Sequence, residues 1–145
     1  MILFSSALEF ISNKKINMND LIIDAANEKI ILILIKDNNI YSASHENSKT
    51  NYEKLTILIN SFLNNSNLKF DEISKIYVNR GPGSFAGIRN SLAVVKAIHV
   101  AKKIDYFCFS FDDFDETYDK KYQNIPNLCD KLKIKKNLIN PIYLS

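Results

Sequence analysis

The densest candidate chemistry in this chain lies in the segment GPGSFAGIR, residues Gly81, Pro82, Gly83, Ser84, Phe85, Ala86, Gly87, Ile88 and Arg89. The 145 residues include three glycines, and all three fall in this segment. The segment follows a strand-like run, KIYVN (75–79), and opens a helix-like run from 86 to 102. Glycines at such a junction let the backbone turn tightly and approach an anion, while a helix N-terminus offers unpaired N–H groups to hold it. Pro82 stiffens the turn, and Ser84 is placed to cap the helix through its hydroxyl. The chemistry on offer is therefore phosphate binding. The spacing nevertheless fits neither well-defined nucleotide loop. A Walker A loop needs G-x-x-x-x-G-K-[ST], whereas Gly87 is followed by Ile88 and Arg89. The dinucleotide fingerprint G-x-G-x-x-G is lengthened here by one residue. A tight strand-to-helix turn that packs closely on another element is the favoured reading of the glycines.

Other reactive residue types are isolated. Asp24 ends an apolar run, where a carboxylate can position a metal, but no second carboxylate stands at a matching place, and a turn role is favoured. His45 and His99 lack the H-x-x-x-H spacing or carboxylate partner of a metal site. Cys108 and Cys129 form no CxxC, and Cys108 in YFCFSF reads as a buried thiol. The acids Asp112, Asp113, Asp115 and Glu116 follow Ser110, the ordinary composition of a first helical turn behind a capping serine. No Ser-His-Asp or Cys-His arrangement is supported, so no catalytic residue is assigned.

The elements that must position the loop are legible. LIIDAA (21–26), KIILILIK (29–36) and IYSAS (40–44) are apolar or alternating runs separated by the turn signals Asn27-Glu28 and Asn38-Asn39, which reads as an antiparallel meander. Leu55, Leu58, Ile59, Phe62 and Leu63 repeat at helical spacing over about 51–65. Strand 75–79, helix 86–102 and a strand within 103–110 form a crossover unit, which implies parallel strands. The order β-β-β-α-β-α-β predicts an α/β domain with a mixed five-stranded sheet, as in half of an actin/hexokinase-like, RNase-H-type fold. Beyond Phe114 the pattern weakens, with a helix near 127–136 as its one candidate element. The expected organisation is an N-terminal extension over 1–17, the main domain over 18–114 and a short C-terminal remnant over 115–145.

The helix behind the loop is apolar around more of its circumference than one buried face requires. Ala93, Ala97 and Ala101 make a small-residue stripe, with Val94 and Ile98 beside it. Such a surface needs a cover: a partner subunit, a second copy, or the chain's own tail. Ala93, Val94, Ala97, Ile98 and Ala101 are the candidate partner interface.

Bulk composition narrows the classes. Hydrophobic residues make up 46% and charged residues 24%, values of a folded globular chain. The net charge is +3, and the lysines are scattered without an aromatic-interleaved basic stripe, so charge gives little case for direct nucleic-acid binding. No apolar run reaches the length of a membrane span, and the cysteine pattern fits a reducing cytosol; a cytoplasmic location is expected.

The segment GPGSFAGIR resembles the GPGSFTGLR signature of the TsaB (YeaZ) family. IDAA (23–26) is similar to that family's IDTS, NYEKLTILINSFL to its HSERLLPMIDELL, and the final NPIYLS to its near-terminal P-x-Y-L-R. The resemblance covers about 18–111 and the last six residues. It implies an actin-like fold and a role in making threonylcarbamoyladenosine beside the tRNA anticodon. It implies a non-catalytic scaffold that pairs with the catalytic paralogue TsaD, with the ATPase TsaE joining. It also implies contact with tRNA only indirectly, and no nucleotide bound by this chain alone, with ATP or ADP at the TsaD interface. Departures accompany the likeness. The family's second domain is nearly missing, Ala25 and Ala26 replace two hydroxyl residues, and Asn51 replaces a histidine. The alternatives are a small actin-like nucleotide-binding enzyme and a homodimeric interaction module.

Overall fold

The structure is a computed structural model that describes residues 18–143; the expected extension over 1–17 and the last two residues of NPIYLS lie outside the described residues. Strands β1 (Asp20–Asp24), β2 (Lys29–Lys36) and β3 (Asn39–Glu46) come first, then helices α1 (Lys49–Glu53) and α2 (Leu55–Asn65). Strand β4 (Lys75–Asn79), helix α3 (Phe85–Lys102) and strand β5 (Asp105–Phe109) form the crossover, and α4 (Ile125–Lys131) lies in the tail.

The five strands form one sheet in the order β3-β2-β1-β4-β5. The meander pairs antiparallel, and β1, β4 and β5 run parallel. This is the mixed sheet expected from the order of elements. The two-residue turn between β2 and β3 places both Asp37 and Asn38 in the left-handed region, at φ 52° and 63°. That conformation matches the twist of the flanking strands, and Asn and Asp tolerate it well.

Alternation along the strands sorts the core into two layers. Leu21, Ile23, Leu32, Leu34, Ile76 and Val78 face α2 and α3, whose Leu55, Ile59, Leu63, Ile88, Leu92 and Val95 complete the larger cluster. Ile22, Ile33, Tyr77 and Phe109 face the other way, and the tail covers them with Phe114, Ile125, Leu128 and Cys129. Residues beyond Phe114 thus supply the second cover of the sheet. Pro126 stands in the first turn of α4, where its missing N–H has no helical partner to lose.

Two expected elements differ. The helix expected over 51–65 is two helices that meet at Lys54 (φ −100°, ψ 11°). The first is capped by Ser48, whose hydroxyl accepts from the Asn51 N–H, and it packs on α3, whereas α2 packs on α3 and β2. The break re-aims the chain between these two surfaces. The candidate tail helix is shorter and earlier than the pattern implied, at Ile125–Lys131.

Candidate functional site: the glycine turn and the outer face of helix α3

The glycine segment joins β4 to α3 and rests on the end of β1. A Cβ at Gly83 would stand 2.2 Å from the Ala26 carbonyl oxygen, and one at Gly87 would stand 1.9 Å from that of Ala25. Gly81 has φ +105°, and a Cβ there would meet the Ile142 oxygen at 2.1 Å. Each glycine is thus required by a backbone that passes too close for any side chain. The small residues Ala25 and Ala26, both buried, form the opposing surface.

Three N–H groups of the turn already have partners. The Gly81 N–H donates to Asn79 Oδ1 (2.9 Å), the Ser84 N–H to the Ala26 carbonyl (2.8 Å), and the Gly87 N–H to Ser84 Oγ (3.2 Å). Ser84 Oγ also lies 3.1 Å from the Tyr52 hydroxyl. Asp24, 1% exposed, is equally occupied. Its Oδ1 accepts from the Ala26 N–H and from Asn79 Nδ2, each at 3.1 Å, and its Oδ2 accepts from the Tyr122 hydroxyl at 2.6 Å. Burial, and then the bond to Asp24, push the Tyr122 hydroxyl well above its ordinary pKa. Asp24 is therefore a structural carboxylate that ties β1 to β4 and the tail, as its turn-like reading anticipated. An open cleft of about 670 Å³ does lie beside the loop, lined in part by Asn27, Glu28, Asn47, Pro82 and Ser84. Its walls carry the Glu28 carboxylate and no lysine or arginine.

The remaining single-residue candidates resolve locally. His99 Nδ1 lies 2.9 Å from the Ile104 carbonyl at the end of α3, and His45 stands on β3. Burial pushes both Cys108 and Cys129 up to about 12, so neither is a thiolate at neutral pH. Among the described residues no group of three or more His, Cys, Asp or Glu side chains could hold a metal, and no helix is long and apolar enough to cross a membrane.

Arg80 escaped the sequence reading, because its partners are remote in the chain. Its guanidinium reaches Asp113 Oδ1 at 2.6 Å and the Asn140 carbonyl at 3.1 Å. Asp113 Oδ2 in turn accepts from the Ser110 N–H, closing the capping box expected there. The Ile142 N–H donates to the Arg80 carbonyl, and Gly83 bridges Tyr143. The tail end therefore runs along the glycine turn. Tyr143 meets Phe85 with the rings tilted at 55° and 4.7 Å between centroids, and Arg89 lies over the same Phe85 ring at 5.7 Å. Phe85 is 53% exposed, and Arg89 projects outward beside it.

The outer face of α3 is open. Ala93, Ala97 and Ala101 are exposed, and Val100 is 71% exposed. Val94 is half-buried, and Ile98 is buried in the core beneath them. Val94, Ala97, Ile98, Ala101 and Lys102 line a groove with Thr56 and Phe70 whose volume is about 260 Å³ and whose walls are almost wholly apolar. Lys102 at its end pairs with Asp71 at 3.0 Å. The tail covers the opposite face of the sheet with Phe114, Ile125, Leu128 and Cys129, while Ile139 packs against the helix-side cluster, and no described tail residue lines this groove.

Known proteins resemble this chain in sequence and in fold. Residues 39–109 match the family model described as TsaD, tRNA N6-adenosine threonylcarbamoyltransferase. The tRNA threonylcarbamoyladenosine biosynthesis protein TsaB of Buchnera aphidicola (subspecies Schizaphis graminum, strain Sg) is 28% identical over 95 residues, which are 64% of this chain and 45% of that protein. YeaZ from Pseudomonas aeruginosa superimposes with a TM-score of 0.60 at 20% identity, covering 64% of this chain and 44% of that one. A second solved structure, described as an uncharacterized protein with similarity to peptidase YEAZ from Pseudomonas aeruginosa, gives 0.60 and 20% over 64% and 43%. The chain thus spans a little under half the length of the relatives it matches, and the shared fold is the YeaZ-type, actin-like mixed α/β sheet. Over the matched part of its length, the chain is similar in sequence to a TsaB and in fold to YeaZ.

Proposed function

We propose that this chain is a scaffold subunit in the biosynthesis of threonylcarbamoyladenosine in tRNA and that it binds a TsaD-like catalytic subunit through the outer face of α3. The observation that carries the proposal is the open apolar groove along Val94, Ala97, Ile98 and Ala101. Small residues on a helix allow another helix to approach closely, and apolar surface left open on a folded domain marks a protein contact. The likeness to a TsaB supplies the chemical setting.

Two further observations favour a scaffold over an enzyme. The carboxylate best placed for catalysis, Asp24, is buried in three hydrogen bonds. The Gly81, Ser84 and Gly87 N–H groups of the glycine turn are engaged internally. In this reading the chain by itself binds no nucleotide and contacts tRNA only through its partner, and a TsaE-like ATPase joins the assembled pair. Phe85, Arg89 and Tyr143 form an exposed patch at the start of the same helix, and in this reading Arg89 pairs with an acidic residue of the partner. Co-expression with the TsaD-like protein of the same organism tests the proposal. A stable one-to-one complex in gel filtration supports it; two separate peaks at micromolar concentrations contradict it.

A further inference from the structure

The sequence before Met18 carries an apolar face of its own. In MILFSSALEFISNKKIN (1–17), Leu3, Phe4, Ala7, Leu8, Phe10 and Ile11 recur at helical spacing, and Ser5, Ser6, Glu9 and Ser12 fall on the other side. No glycine or proline interrupts the run. A helix this short is marginal in water and holds only when its apolar side is packed.

The chain enters the sheet beside the groove of α3. Helix α3 ends at Lys102, and β5 starts at Asp105, which pairs with Lys75 of β4. Lys75 pairs in turn with Asp20, at the start of β1. The start of β1 and the end of α3 thus share one end of the sheet. Just before Asp20, Asn19 Nδ2 donates to the Glu72 carbonyl at 2.9 Å, and the Ser74 N–H donates to the Asn19 carbonyl at 2.8 Å. Strand alternation puts Asn19 on the side of Leu21 and Ile23, the side that carries α3. Glu72 closes the short turn Phe70–Glu72. Phe70 of that turn lines the groove, and its Asp71 pairs with Lys102 of the groove wall. The lengths also agree. Between Val94 and Lys102 the groove follows about 12 Å of α3, which is the length of a helix over residues 3–11. Residues 12–17 can span up to about 20 Å between that helix and Met18.

We propose that residues 3–11 lie as an amphipathic helix in the groove of α3 in the free chain, and that a TsaD-like subunit must displace them to dock. The small residues Ala93, Ala97 and Ala101 let the segment approach α3 closely. The cover rests on the groove and the segment alone, whereas the competition rests also on the docking proposed above. Such a cover opens locally, below the global stability, so its loss leaves the melting temperature of the core unchanged.

The chain contains no tryptophan, so Phe4→Trp in the full chain reports the segment by fluorescence. Its emission is expected to be blue-shifted from that of the same protein in urea, and to stay so on dilution. Ala97→Glu, which puts a charge in the groove, is expected to shift that emission to the red, and so is Leu8→Asp, which puts one on the segment. Red emission from Phe4→Trp itself overturns the proposal, as does blue emission that survives Ala97→Glu. Emission that turns red on dilution overturns it too, because it marks contact between copies. Calorimetry with the TsaD-like protein reads the competition. A groove covered about nine-tenths of the time weakens apparent binding about tenfold, so Leu8→Asp is expected to bind about tenfold more tightly than the wild type. Equal affinity overturns the competition. No binding by either protein refutes the docking proposed above, and the emission test of the cover stands apart from it.

Discussion

Asp20 opens β1 on the tail-facing side of the sheet, nine per cent exposed, with its Oδ1 unpartnered. Burial pushes its pKa up to about 6, against a partial pull downward from Lys75. A carboxyl whose folded pKa is raised binds its proton more tightly folded than unfolded. Its protonated form therefore favours the fold at low pH, and that advantage is lost as pH rises from 3.8 through about 6. Asp20→Asn is expected to raise stability at pH 7.5 by about 1–3 kcal/mol and to flatten this part of the pH profile, as read by urea melts at several pH values. The glycines make the opposite prediction. Gly83→Ala forces a Cβ to within 2.2 Å of the Ala26 oxygen, and is expected to cost more than about 3 kcal/mol or to abolish soluble expression. A glycine serving chiefly to admit phosphate would leave the denaturation midpoint of the free chain nearly unchanged. The concentration of glycine into one segment was visible in the sequence. The identity of what each glycine avoids was not, because Ala25, Ala26 and Ile142 are brought there only by folding.

At the scale of elements, strands and helices were legible wherever one face is buried, since burial imposes a period on the sequence. Strand β4 lies at the residues its apolar run marks, and α3 begins one residue before its expected start. The break at Lys54 was hidden because Leu55, Ile59, Phe62 and Leu63 keep helical spacing whether or not a turn precedes them. The role of the tail was hidden for another reason. Ile125, Leu128 and Cys129 are too few to show a period, and their partners Ile22, Ile33 and Tyr77 lie about a hundred or about fifty positions away. What holds the end of the tail is polar. Arg80→Ala removes the pairing with Asp113 and the contact to Asn140, and is expected to cost about 2 kcal/mol. Hydrogen exchange localises the effect: the amide of Ile142, bonded to the Arg80 carbonyl, is expected to exchange faster in the variant while those of β1 keep their order of protection. Uniform loss of protection across the sheet would show instead that Arg80 supports the whole fold.

Over the whole molecule, the two sheet faces receive different cover. Helices α2 and α3 lie on one, Phe114 and α4 on the other, and the groove on the outer side of α3 stays open. Excess apolar character along 86–102 announced this surface in the sequence. Its geometry needed the structure: Ile98 forms part of the core, and Phe70 and Thr56, from outside the helix, complete the groove. The scaffold reading stands on that groove being a docking site. Titration calorimetry with the TsaD-like protein, using the wild type and Ala97→Glu, tests it most directly. Ala97 is exposed, so the variant is expected to melt at the wild-type temperature. A charge buried at the centre of a helix contact is expected to weaken binding at least about a hundredfold. Binding by the wild type with that loss in the variant is the predicted result. Equal affinity for both proteins, or no heat from the wild type, would contradict the account.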